Sequence, residues 1–216
     1  MKILKKLNAG SVKLKTLEIL TISNNSYIRN LYWNLRAKEI HRKWGGGDGD
    51  YDTIRKIILK TNSKTILDIG CGSGRLFKLY KSLNLSEVVA QDISAAAIRI
   101  CKDTYIELNY KYELDEIENL NYPENYFDLI ISNKVLSAIL PSRIERTVEK
   151  LAFMGKNIYV NEVMDGDPIK KSNNWFKHNY DPLMLKNFFV VSERGQIVKN
   201  QTWKLYKKTP PDCTKG

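Results

Sequence analysis

A glycine-rich turn that follows a predicted buried strand is the segment of this sequence best suited to bind a ligand. The apolar run Thr65–Ile69 leads directly into Gly70, Gly72 and Gly74, and a helix is predicted over 75–83. Glycine adopts positive φ angles easily and lets a ligand approach the backbone closely. In an open α/β sheet, ligands bind beyond the carboxyl ends of the strands. The turn is therefore a candidate ligand site.

The spacing of these glycines narrows the ligand class. The dinucleotide fingerprint needs glycines at its first, third and sixth positions, but the sixth position here is Arg75. A phosphate-binding P-loop needs Gly-Lys-Ser/Thr after four spacer residues, which the turn lacks. Asp92 ends the next predicted strand, where an acid can accept hydrogen bonds from both ribose hydroxyls. These features indicate a nucleoside ligand.

Four segments together resemble the class I S-adenosylmethionine-dependent methyltransferases. They are DIGCGSG at 68–74, QDIS at 91–94, DEI with LNYPENYFD at 115–128, and SNKVL at 132–136. The resemblance covers roughly residues 51–207 and follows the family's order and spacing. It implies S-adenosylmethionine as the cofactor.

The resemblance also implies roles for the residues around the glycine turn. Asp68 would hold the methionine amino group of the cofactor, directly or through water. Gly70 and Gly72 would pass beneath the methionine and the ribose, and Cys71 and Gly74 complete this part of the site. The alternative for Asp68 is a strand-end residue that caps the turn.

Five later residues complete the implied cofactor site. Asp92 would bind the ribose hydroxyls, and Ile93 would lie against the adenine. Glu116 would accept a hydrogen bond from the adenine amino group, and the Ile117 backbone N–H would donate to the ring. Asn133 would lie under the transferable methyl group. The alternatives are a helix cap for Asp92, a surface acid for Glu116 and a turn residue for Asn133.

Candidates for a general base are few. His178 follows the predicted fifth strand, where the resembled family places substrate loops, and Glu162 ends that strand. Each is also interpretable as a structural residue, and His41 is interpreted as a solvated surface residue. Many small methyltransferases carry a histidine just after the fourth strand, whereas residues 136–139 contain none. This departure keeps open a catalytically silent nucleoside-binding protein.

The alternation of strands and helices predicts an α/β fold. We expect a doubly wound, mainly parallel seven-stranded sheet with helices on both faces, and the resemblance implies that the last strand is antiparallel. A strand is predicted over 188–193. The predicted organisation is an N-terminal helical segment with a glycine-rich loop at 1–50, which caps the site, then the catalytic domain at 51–208 and a tail at 209–216.

Positive charge is concentrated near the N-terminus. Residues 1–43 hold ten Lys/Arg and two acidic residues, while the whole chain has a net charge of +11. This segment is interpreted as a helix that packs over the pocket with its lysines in water. Peripheral contact with an anionic membrane and contact with RNA phosphates are the alternatives.

The remaining composition favours a cytoplasmic protein, and the likeness to small stand-alone methyltransferases implies an enzyme that acts on a small molecule. The three cysteines have neither zinc nor redox spacing, no metal-ligand cluster is recognisable, and no apolar run reaches about 18 residues. We expect methyl transfer to an oxygen, or next a nitrogen, of a metabolite or saccharide. An RNA-modifying methyltransferase is the alternative.

Overall fold

The computed structural model describes residue 20 and residues 25–44, 50–163, 175–198 and 201–210. Its elements alternate between helix and strand along most of the chain. The helices are α1 (Ser26–Trp44), α2 (Tyr51–Lys60), α3 (Phe77–Lys81), α4 (Ala95–Thr104), α5 (Ile144–Met154) and α6 (Tyr180–Lys186). The strands are β1 (Thr65–Ile69), β2 (Glu87–Gln91), β3 (Lys111–Glu113), β4 (Leu129–Asn133), β5 (Asn157–Val163), β6 (Phe189–Val198) and β7 (Gln201–Lys208).

The seven strands form one sheet in the order β3-β2-β1-β4-β5-β7-β6. The first five are mutually parallel. β7 runs antiparallel to both of its neighbours. The predicted fold class and the antiparallel last strand are confirmed. Strand order reverses between β1 and β4, and ligands bind at such a switch point in open α/β sheets.

Alternate residues of the central strands pack on opposite faces of the sheet. Leu67 and Ile69 of β1 belong to the core under α5 and α6. Ile66 belongs to the core under α2, α3 and α4. A strand covered on both faces favours apolar residues on both of them, as in Ile66 and Leu67 of β1 and in residues 129–131 of β4.

Two predicted boundaries were wrong. The helix after the glycine turn begins at Phe77, not Arg75, because Gly74 has a φ of +81° and residues 71–77 close two successive turns. β6 continues to Val198 instead of ending at 193. Gly195 lies opposite Trp203, and a Cβ on Gly195 would come within 2.7 Å of the indole. Here the glycine accommodates a ring and does not end the strand.

Helix α1 is fastened to the sheet domain by polar contacts. Asn34 Oδ1 accepts hydrogen bonds from Ser94 Oγ (3.0 Å) and from the Ala96 amide (2.9 Å). Arg29 forms an ion pair with Glu116. No helix in the described ranges is long and apolar enough to span a membrane. Residues 1–19 and the glycine cluster at 45–49 lie outside the described residues.

Candidate cofactor and acceptor pocket

A cavity of about 520 Å³ lies at the carboxyl ends of β1, β2 and β4. One side, which we call the glycine wall, comprises residues 70–73, 91–93 and 116–117. A second group of lining residues, which we call the helix wall, comprises residues of α1, residues 133–135 and 138–140, and Trp175. Eight of the twelve predicted site residues line this cavity: Gly70, Cys71, Gly72, Asp92, Ile93, Glu116, Ile117 and Asn133.

The three glycines of the turn all have positive φ but differ in what surrounds them. Their φ angles are +57° at Gly70, +56° at Gly72 and +81° at Gly74. A Cβ on Gly70 would lie 2.5 Å from the Val135 side chain, and one on Gly74 would lie 2.8 Å from Tyr105. A Cβ on Gly72 would meet nothing within 4 Å. Gly72 alone of the three therefore borders open space, while Gly70 and Gly74 permit close packing.

Asp92 binds the glycine turn directly. Its Oδ2 accepts from the Gly72 amide at 2.9 Å, and its Oδ1 accepts from the Ser94 amide at 2.8 Å. Helix α4 is capped by Ser94, whose hydroxyl accepts from the Ala97 amide. Burial raises the pKa of Asp92, and the backbone hydrogen bonds from Ser94, Gly72 and Ile93 oppose that rise. A carboxylate on the cavity surface is thus coupled to the backbone of the turn.

Asp68 lies inside β1 and does not line the cavity. It is 3% exposed, and burial raises its pKa to about 7 against the opposing effects of the Tyr80 hydroxyl and Arg75. Gln91, which the sequence prediction missed, sits closer to the ligand space. Its side chain accepts from the Gly70 amide at 3.1 Å and donates to the Asp115 carbonyl at 2.5 Å. It therefore ties the turn to the segment carrying Glu116.

Glu116 links α1 to the sheet domain. One carboxylate oxygen binds Arg29 of α1 at 2.8 Å, and the other binds Arg143 at 3.0 Å. Arg143 also binds Glu118 at 2.7 Å. A carboxylate has about four lone-pair sites, so these two ion pairs leave acceptor capacity on Glu116. Neither arginine was predicted, because each contact joins residues far apart in the sequence.

Asn133 is oriented by polar groups on two sides. Its Nδ2 donates to Asp50 Oδ2 at 2.9 Å, and its Oδ1 accepts from Asn161 Nδ2 at 3.2 Å. Asp50 is buried and also binds Arg75 at 2.9 Å. Lys134, the next residue, has a φ of +64° and lines the cavity. The network fixes the amide orientation of Asn133 at the end of β4.

The two predicted bases contact residues of the helix wall but do not themselves line the cavity. Glu162 is 1% exposed and accepts from the amides of Val135 (2.9 Å) and Leu136 (2.8 Å) and from Ser137 Oγ (2.6 Å). Burial raises its pKa to about 7. Both oxygens hold residues 135–137 in place, and Glu162 is absent from the described cavity lining.

His178 also contacts the main chain. Its Nε2 lies 2.9 Å from the Ile139 carbonyl, and its ring packs against Phe176 and Tyr180. Burial lowers the pKa of His178. It is not among the described lining residues, although nearby Trp175 is. Residues 164–174, between β5 and Trp175, lie outside the described residues, and the catalytic roles of His178 and Glu162 stay predictions.

Part of the chain is similar in sequence to known methyltransferases. Residues 66–156 match the family model described as a methyltransferase domain. A putative methyltransferase 235L of Invertebrate iridescent virus 6 is 25% identical over 59% of this chain and 48% of its own length. A ribosomal protein L11 methyltransferase of Thermotoga petrophila is 32% identical over 37% of this chain and 30% of its own length. The chain therefore spans half or less of these relatives.

A solved structure shares the fold over nearly the whole chain. The magnesium protoporphyrin IX methyltransferase of Synechocystis PCC 6803, crystallised with S-adenosylhomocysteine, aligns with a TM-score of 0.71. The alignment covers 86% of this chain and all of that one, at 13% sequence identity. At this identity the likeness establishes the shared fold.

Proposed function

We propose that this chain, which belongs to the class I S-adenosylmethionine-dependent methyltransferases, transfers a methyl group to a small-molecule acceptor bound between its glycine wall and its helix wall. S-adenosylmethionine is the cofactor of this family. When bound, it supplies an electrophilic methyl group. The residues of the chain would bind and orient the two reactants and exclude water.

The observation that carries this proposal is the open space beside Gly72, next to the Asp92 carboxylate. Asp92 holds the Gly72 amide at 2.9 Å, and the side of Gly72 where a Cβ would lie is empty. A ligand that lies against Gly72 also reaches the Asp92 carboxylate, which retains lone pairs for ribose hydroxyls. Ile93, Glu116 and Ile117 border the same cavity and suit an adenine ring.

The methionine end of the cofactor would extend from Gly72 toward Gly70 and Asn133. Asp68 lies below the turn, so water would relay its interaction with the methionine amino group. Asn133 would face the methyl group with its amide held by Asp50 and Asn161. Alignment of this kind contributes up to roughly 7–11 kcal/mol to lowering a barrier. Fixed side chains therefore suit the direct displacement.

The size and composition of the pocket favour a small acceptor. Sites for small molecules measure about 300–1,000 Å³, and because the cavity of about 520 Å³ would hold the cofactor as well, only part of it is left for the acceptor. Tyr32, Trp33 and Trp175 contribute aromatic surface to the helix wall. Helix α1 covers one side, which restricts entry of a folded polymer.

Isothermal titration with S-adenosylhomocysteine and with NAD tests the cofactor assignment. We expect heat with S-adenosylhomocysteine at micromolar concentrations and none with NAD. Binding of NAD without binding of S-adenosylhomocysteine would contradict the proposal. Transfer of labelled methyl from S-adenosylmethionine into small molecules of a cell extract tests the activity. Label found only in RNA or protein would overturn the proposed acceptor class, and no transfer would favour a silent nucleoside-binding protein.

A further inference from the structure

Helix α1 borders the pocket but contributes little to the hydrophobic core. Two of its described residues, Tyr32 and Ala37, are buried apolar side chains. Neither belongs to the two hydrophobic clusters that pack against the sheet. Helix α5, by contrast, places Ile144, Val148 and Leu151 in one of those clusters. Segments with little apolar burial open at low free-energy cost, so the polar contacts that fasten α1 decide where it sits.

Two polar contacts fasten α1 beside the space proposed for adenine. Near the start of the helix, Arg29 Nη2 donates to Glu116 Oε1 at 2.8 Å. Five residues later, Asn34 Oδ1 accepts from Ser94 Oγ at 3.0 Å. The two partners in the sheet domain, Glu116 and Ser94, each adjoin in sequence a residue that would contact the adenine ring. The position of α1 is therefore tied to the segments that would bind the base.

The two arginines that hold Glu116 differ in their other contacts. Arg143 forms a two-point ion pair with Glu118, through Nε at 3.0 Å and Nη2 at 2.7 Å. The same Nη2 also donates to Glu116 Oε2 at 3.0 Å. Arg143 is therefore shared between two carboxylates, and its contact with Glu118 is the shorter one. Arg29 supplies a second cation to the other oxygen of Glu116. Loss of Arg29 would leave two carboxylates to share one arginine.

The orientation of Glu116 matters because its carboxylate borders the cavity. The side chain is 15% exposed and belongs to the cavity lining. With each oxygen bound by an arginine, the lone pairs that remain have fixed directions. The adenine amino group needs an acceptor at a suitable angle, since hydrogen bonds weaken steeply when they are misaligned. A carboxylate that could rotate would therefore bind the amino group less well.

The part of α1 between its two polar contacts also lines the cavity. Tyr32 and Trp33 lie between Arg29 and Asn34 in sequence, and both belong to the cavity lining. Their rings are in edge contact, with centroids 5.1 Å apart. Aromatic side chains offer a large apolar surface for a ligand ring. Undocking of α1 would therefore withdraw this surface from the cavity as well as release Glu116.

We infer that Arg29 is a positioning residue, which holds Glu116 in the orientation needed to bind the adenine amino group and thereby links docking of α1 to recognition of the base. This inference rests on the proposed function. Arg29 acts on the cofactor through Glu116. Because the coupling of two binding events is reciprocal, the docked helix strengthens binding of adenine, and bound adenine keeps the helix docked.

Two ligands measure recognition of the amino group. They are S-adenosylhomocysteine and its 6-deamino analogue, which carries hydrogen in place of the adenine amino group and keeps every ring nitrogen. In titrations of the full-length protein, S-adenosylhomocysteine should bind about tenfold or more tightly than the analogue, because the analogue lacks a hydrogen bond to a charged group. The ratio of the two affinities is then compared between variants.

Substitution of either partner should reduce this affinity ratio. Arg29→Gln should lower the ratio about threefold or more, through weaker binding of S-adenosylhomocysteine. Arg29→Met keeps the apolar stem of the side chain and should have the same effect, so it serves if the glutamine variant does not fold. Arg42→Gln is the matched control, since Arg42 is an exposed arginine of the same helix outside the described lining. It should leave the ratio unchanged.

A double variant tests whether Arg29 acts through Glu116. In Glu116→Ala the two ligands should bind about equally, because the proposed acceptor is gone. Adding Arg29→Gln to that variant should change the ratio no further, as expected when one residue acts through the other. A further fall in the ratio would mean that Arg29 binds the cofactor itself and would overturn the inference.

Hydrogen exchange of the α1 amides tests the link to the helix. At saturation, S-adenosylhomocysteine should slow this exchange more than the 6-deamino analogue does, and Arg29→Gln should remove the difference. Equal protection of α1 by the two ligands, or an unchanged affinity ratio in a folded Arg29 variant, would overturn the inference while leaving the proposed function intact. Failure of S-adenosylhomocysteine itself to bind would instead refute the proposed function, and this inference with it.

Discussion

The glycine wall and the helix wall of the pocket are built by different means. The glycine wall is built around a backbone turn, whose shape follows from φ angles of +57° and +56° at Gly70 and Gly72. The helix wall is largely side chains, and its helix α1 is joined to the glycine wall by contacts such as Arg29–Glu116, which links residues 87 positions apart. A wall made of backbone is encoded locally, whereas a wall made of side chains depends on the completed fold.

The register of the parallel strands explains why the glycine wall forms reliably. Ile69 of β1 pairs with Gln91 of β2, so the residues after them, Gly70 and Asp92, emerge at the same edge of the sheet. The hydrogen bond from Gly72 to Asp92 follows from that register. No comparable constraint sets α1 against Lys134, since they belong to elements that do not pair.

Substituting the glycines separates folding from binding within the glycine wall, and we expect the largest effect here. Gly74→Ala should lower the free energy of unfolding by roughly 2–5 kcal/mol, because a positive φ and overpacking against Tyr105 and Phe77 both penalise alanine. Gly72→Ala should cost only about 1–2 kcal/mol of stability but should block the cofactor. Urea denaturation and titration with S-adenosylhomocysteine measure the two effects.

The two alanine variants are each other's control. If Gly72→Ala binds S-adenosylhomocysteine as tightly as the parent protein, the open space beside Gly72 is not the cofactor cradle. If Gly74→Ala is as stable as the parent, the turn is more adaptable than its packing indicates.

Removing the carboxylate of Asp92 tests the polar part of the glycine wall. Asp92→Ala should weaken S-adenosylhomocysteine binding by roughly 1.5–3 kcal/mol, since hydrogen bonds to a charged group are lost. Asp92→Asn should lose less, because its amide oxygen still accepts from Gly72. Titration calorimetry on both variants provides the comparison, and unchanged affinity in a folded Asp92→Ala protein would show that Asp92 serves only the turn.

The sequence predicted the glycine wall because its signals are local. Glycine spacing and the strand-ending Asp92 need no knowledge of tertiary contacts. Gln91, Asp50, Arg29 and Arg143 escaped prediction because their roles arise from partners 21 or more residues away. The sheet followed from apolar periodicity, whereas the start of α3 did not, because the φ of Gly74 became known only from the structure.

Two buried carboxyl groups, one next to each wall, have similarly raised pKa values. Asp68 lies behind the glycine wall and Glu162 behind the helix wall, and burial raises the pKa of each to about 7. The folded state therefore binds these protons more tightly than the unfolded state does. Their contribution to stability is fully present below about pH 4 and is lost as the pH rises toward 7.

Variants of the two carboxyl groups show how much each group contributes to the pH dependence of the unfolding free energy. Asp68→Asn and Glu162→Gln should each reduce the loss of unfolding free energy between pH 4 and pH 8 by about 1–3 kcal/mol, since one pKa unit corresponds to about 1.4 kcal/mol. Urea denaturation at several pH values measures the slope. Glu162→Gln should also disturb residues 135–137, whereas Asp68→Asn should not. If neither variant changes how the unfolding free energy depends on pH, both carboxyl groups ionise freely in the folded protein.

The smallest effect is expected at His178, behind the helix wall. Its Nε2 lies 2.9 Å from the Ile139 carbonyl, and the amide of a glutamine can donate to the same oxygen. His178→Gln should therefore change turnover less than about threefold, whereas loss of a general base costs about a hundredfold or more. The measurement is the rate of labelled methyl transfer from S-adenosylmethionine at pH 6, 7 and 8, with His41→Gln as the control because His41 is the only other histidine. The contrary result is a hundredfold fall in rate for His178→Gln alone, together with a parent rate that declines as the pH drops through about 6.5. That result would establish His178 as the general base predicted from the sequence. It would also mean that His178 contacts the reacting groups, which its hydrogen bond to Ile139 does not indicate.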